Sequence, residues 1–125
     1  MPFQYLRDDA KRRITLILSD PLTVAERIGA MEHQVADGTW RYGVLIDARR
    51  MGPFTPNLTD MQTVASRLAE LIAEHGPRGP VAIVSGQSSV ISAGAMHNSL
   101  GVKAPIEVFW DRDDALTFLD RAAEA

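Results

Sequence analysis

Tyr42-Gly43-Val44-Leu45-Ile46-Asp47-Ala48-Arg49-Arg50-Met51-Gly52-Pro53-Phe54-Thr55-Pro56-Asn57-Leu58-Thr59-Asp60, running on to His75, is the stretch that decides the fold. Val44, Leu45 and Ile46 form a short unbroken apolar run, the pattern of a strand buried on both faces. It ends at Asp47 or Ala48. Gly52-Pro53 and Thr55-Pro56 then stop regular structure, because proline lacks a donor and restricts the residue before it. The loop that results, about ten residues, is longer than the usual two to six of a strand-to-helix connection. Thr59 and Gln62 have the spacing of a capping box. Met61, Val64, Ala65, Leu68, Leu71 and Ile72 mark one helical face as far as His75, where Gly76-Pro77 ends the helix.

On the N-terminal side, Phe3 to Arg7 and Arg12 to Leu18 alternate apolar and polar residues around the polar Asp8-Asp9-Ala10-Lys11, which predicts a β-hairpin. Asp20-Pro21 offers a helix start, and Thr23 with Glu26 offers a capping box one step later. Val24, Ile28, Met31 and Val35 give that helix its apolar face, and Asp37-Gly38 ends it. Trp40 to Tyr42 leads into the central strand. On the C-terminal side, Pro80 to Val84 is a further short strand, left through Ser85-Gly86-Gln87-Ser88-Ser89, with Ser88 or Ser89 placed to cap the next helix. That helix, Val90 to Leu100, carries Ala93, Gly94 and Ala95, small enough for close approach to a sheet. Ile106 to Trp110 is the fifth strand, and Asp111 caps a last helix whose apolar face is Ala115, Leu116, Phe118, Leu119 and Ala122.

The order is therefore β-β-α-β-α-β-α-β-α. Each late strand is followed by a helix, which requires crossover connections and parallel pairing of strands three to five, with the leading hairpin as an antiparallel part. The expectation is one α/β domain over residues 1–125. At 125 residues, 46% hydrophobic and 23% charged, the chain has ordinary globular composition. A net charge of -3 argues against a nucleic-acid partner, which needs clustered Lys and Arg. The absence of cysteine excludes disulfides and thiolate metal sites. The N-terminus has neither a basic start nor an apolar segment of leader type, and no run reaches the roughly 18 apolar residues of a membrane span, so a cytoplasmic location is expected.

The segments Val44 to Arg49, Val81-Ala82-Ile83-Val84-Ser85, the helix holding Ala95-Met96, and Ile106-Glu107-Val108-Phe109-Trp110-Asp111 running into Asp114-Ala115-Leu116 and Phe118-Leu119 together resemble the SpoIIAA-like fold. In particular the chain resembles the small bacterial proteins described as STAS/SEC14-like. The resemblance lies in element order and apolar positions over nearly the whole chain, so it speaks to fold more than to function. Classical anti-sigma-factor antagonists of this fold follow the equivalent strand with an Asp-Ser-Ser-Gly-like motif whose serine is phosphorylated. Here Met51 to Asp60 holds no such motif; Thr55 and Thr59 are the two hydroxyl candidates for an acceptor, and both read first as helix caps.

Parallel strands three to five would gather Asp47, Arg49, Arg50, Ser85, Gly86, Ser88, Ser89 and Asp111 at their carboxyl ends, where open α/β sheets usually bind ligands. Arg49 and Arg50 supply positive charge, and a Ser-Gly-Gln-Ser-Ser turn into a helix suits an anion or a partner. The competing reading pairs the arginines with Asp47 and Asp111 and makes the serines caps. The turn matches neither the dinucleotide fingerprint nor the Lys-bearing phosphate loop. Met51, Phe54, Thr55, Leu58 and Thr59 form a candidate interaction loop, since apolar side chains in a proline-bounded loop are either folded inward or a contact patch. His33, His75 and His97 fall on three helices without metal-ligand spacing and read as surface residues, His97 alone standing near the loops. Neither a metal nor a cofactor is expected. Trp40 and Trp110 sit at strand boundaries and read as packing residues.

Three functions follow in order. The first is a non-enzymatic regulatory or protein-interaction module of the STAS/SpoIIAA-like type, without the classical phosphoserine switch, with a protein partner and homodimerisation through a sheet edge or the loop before the second helix. The second, implied by the SEC14 side of the resemblance, is a carrier of a small apolar ligand or lipid in a cavity lined by residues such as Met61, Leu68 and Met96. The third is a hydrolase using Asp47, Ser88 and His97, although the Gly-x-Ser-x-Gly elbow is absent.

Overall fold

The computed structural model describes residues 3–124, so Met1, Pro2 and Ala125 of the expected domain lie outside the described residues. The strands are β1 (Phe3–Asp8), β2 (Arg13–Leu18), β3 (Gly43–Asp47), β4 (Val81–Val84) and β5 (Ile106–Phe109), and the helices α1 (Val24–Ala36), α2 (Leu58–His75), α3 (Ser88–Ser99) and α4 (Arg112–Glu124). One sheet takes the order β1-β2-β3-β4-β5. β1 pairs antiparallel with β2, in register from Phe3 opposite Leu18 to Asp8 opposite Arg13. The other three pairs are parallel, so the parallel part starts at β2, one strand earlier than the sequence pattern indicated. The element order is the expected one.

Local chemistry explains where the elements begin. In the hairpin, the Asp8 carboxylate accepts from the Lys11 amide at 3.1 Å and Arg12 takes a positive φ of 51°. At α1 the Thr23 capping box is complete: Glu26 N–H donates to the Thr23 hydroxyl at 3.1 Å and Thr23 N–H to the Glu26 carboxylate at 2.9 Å. That box sets the start, and Asp20-Pro21 stays outside the helix. At α2 the cap is Asn57, whose side chain accepts from Asp60 N–H at 3.0 Å, so the Thr59-Gln62 pair is not a cap. Thr59 is already in the first turn, and its carbonyl accepts from the Thr63 hydroxyl. At α3 the N-cap is Gln87, without a side-chain cap bond, and neither Ser88 nor Ser89 fills that role. Asp111 caps α4 as expected, accepting from Asp113 N–H at 2.7 Å.

Side chains alternate across the sheet, and each face has its own cover. On one face Leu45, Ala82 and Val84 pack against Ala115 and Leu119 of α4. On the other, Ile14, Leu16, Leu18, Val44 and Val81 form a second cluster. A third cluster, Met31, Trp40, Leu68, Leu71 and Ala104, holds α1 and α2 to each other. The two covers differ in one respect that matters for function. α3 and α4 bring Cα atoms within 8 Å of the strands, whereas no Cα of α1 or α2 comes that close to a strand Cα. α3 reaches β5 because of Gly94: a Cβ there would stand 2.7 Å from Val108 Cγ2. The pair α1 and α2 thus bridges a sheet face that it does not fill.

Candidate functional site

The space beneath α1 and α2 is a cavity of about 180 Å³. Leu16, Leu18, Ile46, Ile83 and Ile106 are its wall on the sheet side. α1 contributes Ala30 and Met31, α2 contributes Met61, Val64 and Leu68, and α3 contributes Val90, Ala93, Gly94 and His97. Ile46 and Ile83 lie at the middle of the sheet, where Val44 and Val84 are 0% exposed, yet both isoleucines keep accessible surface because they look into this void. Of the residues expected to line an apolar pocket, Met61 and Leu68 do so, and Met96 is not among the lining residues.

At the carboxyl ends of the strands the wall passes into the long loop after β3. Met51 and Phe54 line the cavity there, together with Pro21 and Leu22. The Arg27 guanidinium lies over the Phe54 ring, 5.5 Å from its centroid. Burial lowers the Arg27 pKa, opposed in part by the nearby Asp60 carboxylate. Gln87 fastens this loop by donating from Nε2 to the carbonyls of Met51 at 3.0 Å and Gly52 at 3.1 Å. The glutamine that fails to cap α3 therefore ties α3 to the loop.

At the opposite end, near the first residues of the strands, stand His97 and Arg78. His97 is 6% exposed, contrary to its reading as a surface residue. Its Nε2 lies 3.0 Å from the Ala104 carbonyl, and since a carbonyl only accepts, Nε2 carries the proton. Arg78 lies in the short connection from α2 to β4. Its Nη2 donates to Gln34 Oε1 at 2.9 Å, and its guanidinium lies over the Trp40 ring at 5.5 Å. Trp40 is itself fixed by donation from Nε1 to the Gly76 carbonyl at 2.9 Å. The chain is held close here, because a Cβ on Gly79 would run into the Tyr42 carbonyl oxygen.

The expected anion site at the carboxyl edge is largely engaged within the protein. Arg49 grips Asp47 with two bonds, Nε to Oδ1 at 2.9 Å and Nη2 to Oδ2 at 2.7 Å, and these bonds, more than any other influence, hold the Asp47 carboxyl below its usual pKa. Ser85 is fully buried, and its hydroxyl accepts from Gln87 N–H at 3.1 Å. Gly86 lies under Trp110, with a hypothetical Cβ 3.5 Å from the indole. Arg50 and Ser88 are exposed and Ser89 is half-buried. Arg49 and Asp111 do meet, in a shallow surface hollow with Trp110, Arg112 and Asp113. Of the expected interaction loop, Met51 and Phe54 turn inward, Thr55 and Thr59 are exposed, and Leu58 is 50% exposed. Ser88 and His97 lie nine residues apart at opposite ends of α3, roughly 13 Å along the axis, and Asp47 is committed to Arg49, so these three residues do not meet. His33 is exposed beside the Tyr5 ring at 4.7 Å, and His75 is exposed beside Glu74.

Among the described residues no helix is long and apolar enough to cross a membrane. No protein-family model matches the chain, and no curated protein matches it significantly. Among solved structures it is similar to a Shewanella loihica PV-4 protein, described as an uncharacterised member of the DUF3478 family with a SpoIIAA-like fold. The two are 18% identical with a TM-score of 0.58, over 94% of this chain and 91% of that one. The likeness establishes a SpoIIAA-like α/β fold, as the pattern of strands and helices implied.

Proposed function

We propose that this chain is a single-domain, non-enzymatic binding module, working in the cytoplasm, whose cavity beneath α1 and α2 holds a small apolar molecule. The observation that carries the reading is the unfilled, almost wholly apolar space of about 180 Å³ between the sheet and its helices. An apolar void of about 150 Å³ stays dry and takes up benzene. The space here suits a single ring or a short alkyl chain, and a two-chain lipid is too large for it.

Methyl NMR with hexanol as probe tests this. Hexanol is expected to shift the methyl signals of Ile46, Ile83 and Ala93, which face the cavity, and to leave Leu45 and Ala82 on the α4 face unmoved. Equal shifts on both faces, or none at saturation of the probe, would remove the reading.

The regulatory or partner-binding role is supported by a different surface. Trp110 is 70% exposed beside Arg49, Asp111 and Arg112, and Leu58, the first residue of α2, is half exposed just after the loop whose Met51 and Phe54 line the cavity. A loop that touches the ligand on one side and solvent on the other would let occupancy alter a contact surface. If so, Trp110→Ala with Arg50→Glu abolishes capture of a partner from lysate while hexanol binding persists. Homodimerisation would use β1 or β5, the two edges of the sheet. Sedimentation at rising concentration checks it, and a monomer throughout rejects it.

A further inference from the structure

Among the described residues the cavity wall carries three polar side chains, Arg27, Arg78 and His97, all basic, and no acid, amide or hydroxyl side chain. His97 has its partner, donating to the Ala104 carbonyl, while Arg27 and Arg78 each lie over an aromatic ring, Phe54 and Trp40, and Asp60 stands near Arg27 without forming an ion pair with it. Arg78 is different. Its Nε is sealed from solvent without an acceptor, and Nη2 reaches only the neutral Gln34 side chain. Among the described residues no carboxylate forms an ion pair with it. Burial lowers its pKa to about 10, which leaves it charged at neutral pH. Arg78 is among the residues lining the cavity, and burial strongly desolvates its guanidinium.

A buried cation is ordinarily paired, since an unpaired one is costly and a guanidinium is built to grip a planar anion with two bonds. Here folding has already stripped Arg78 of water, so an entering anion meets a charge whose desolvation is complete and only the anion's own remains. Resting on the cavity as a ligand site, we propose that its occupant is a small apolar carboxylic acid, bound as the anion, with its carboxylate on Arg78 and its ring or short chain between Ile46, Ile83, Leu68 and Ala93. A phosphate-bearing lipid does not fit the volume, so the ligand is the free acid.

Calorimetric titration of the native protein with hexanoate, hexanol and hexylammonium separates the possibilities. Wild type is expected to bind hexanoate about ten- to a hundredfold tighter than hexanol, the range for a charge-assisted hydrogen bond, and hexylammonium not measurably. Arg78→Met should bring hexanoate down to the affinity of hexanol, Arg78→Lys should keep part of the preference, and Arg27→Met should keep all of it. Hexanol binding as tightly as hexanoate to wild type would overturn the proposal and leave the cavity reading standing, a comparison that needs no variant to fold. Loss of the preference in Arg27→Met but not in Arg78→Met would also overturn it. If neither probe binds, the cavity reading fails as well.

Discussion

Filling the cavity should stabilise the protein, and Ala93→Leu is the substitution best placed to do so. Ala93 lines the void from α3, where alanine and leucine are both good helix formers. The change adds three carbons to apolar space between the helices and the sheet. At about 0.8 kcal/mol per buried methylene the gain is about 2.4 kcal/mol. Ordering the leucine side chain takes back about 0.5–1 kcal/mol, which leaves a net gain of about 1.5 kcal/mol. For 125 residues the unfolding entropy is about 0.26 kcal/mol/K, so Tm should rise by about 5–6 °C. The assay is urea and thermal unfolding of wild type and variant, both refolded from denaturant so that neither retains a ligand. In a tightly packed core the same insertion would force side chains off their rotamers and cost about 1–3 kcal/mol. A drop in Tm would therefore refute the claim that the space beneath α1 and α2 is empty and apolar. The variant should also lose hexanol binding.

Three further outcomes follow from the geometry. Gly94→Ala should lower stability by about 1–2 kcal/mol in urea unfolding, because the 2.7 Å approach to Val108 Cγ2 outweighs the gain of about 1 kcal/mol in helix propensity; a neutral result would mean α3 can back away from β5. Asn57→Ala should cost about 1 kcal/mol as a lost cap, while Thr59→Ala should stay within about 0.5 kcal/mol, and the reverse ranking would put the start of α2 at Thr59. Arg49→Ala should cost under about 1 kcal/mol at neutral pH, since Arg49 is half exposed. Because the folded Asp47 pKa is lowered chiefly by Arg49, that stabilisation is present above the unfolded carboxylate value near about 3.9 and is lost as pH falls through the folded value. The gap between wild type and variant in urea midpoints should thus be level from about pH 5 to 7 and narrow in stronger acid, and a gap unchanged at acid pH would point to packing instead.

The sheet and the helix order were legible because Val44 to Ile46, Val81 to Val84 and the capped apolar helices each permit one assignment. What was not legible is how far the helices stand from the sheet. Met61, Val64 and Leu68 repeat at helical spacing whether α2 presses on the strands or roofs a void above them, so periodicity cannot register the gap. The α2 cap falls on Asn57 rather than Thr59 because the Asn57 side chain accepts from Asp60 N–H, a single-bond cap that a search for a Thr-x-x-Gln box passes over. Arg78 was passed over because Gly76-Pro77-Arg78-Gly79-Pro80 reads as a connector, and connectors are usually solvated. The available signal was an arginine pinned between prolines and glycines immediately before an apolar strand, where a tight path leaves a long side chain little way out. At the carboxyl edge the structure pairs Arg49 with Asp47, while the apolar cavity lies under the helices.

Diffraction from crystals of the protein pressurised with xenon tests the central claim most directly, since xenon enters dry apolar cavities and avoids hydrated ones. The account predicts a xenon peak bounded by Ile46, Ile83, Leu68 and Ala93, between the sheet and α2. Ordered water filling that space, or side chains closed over it with no xenon, would contradict it.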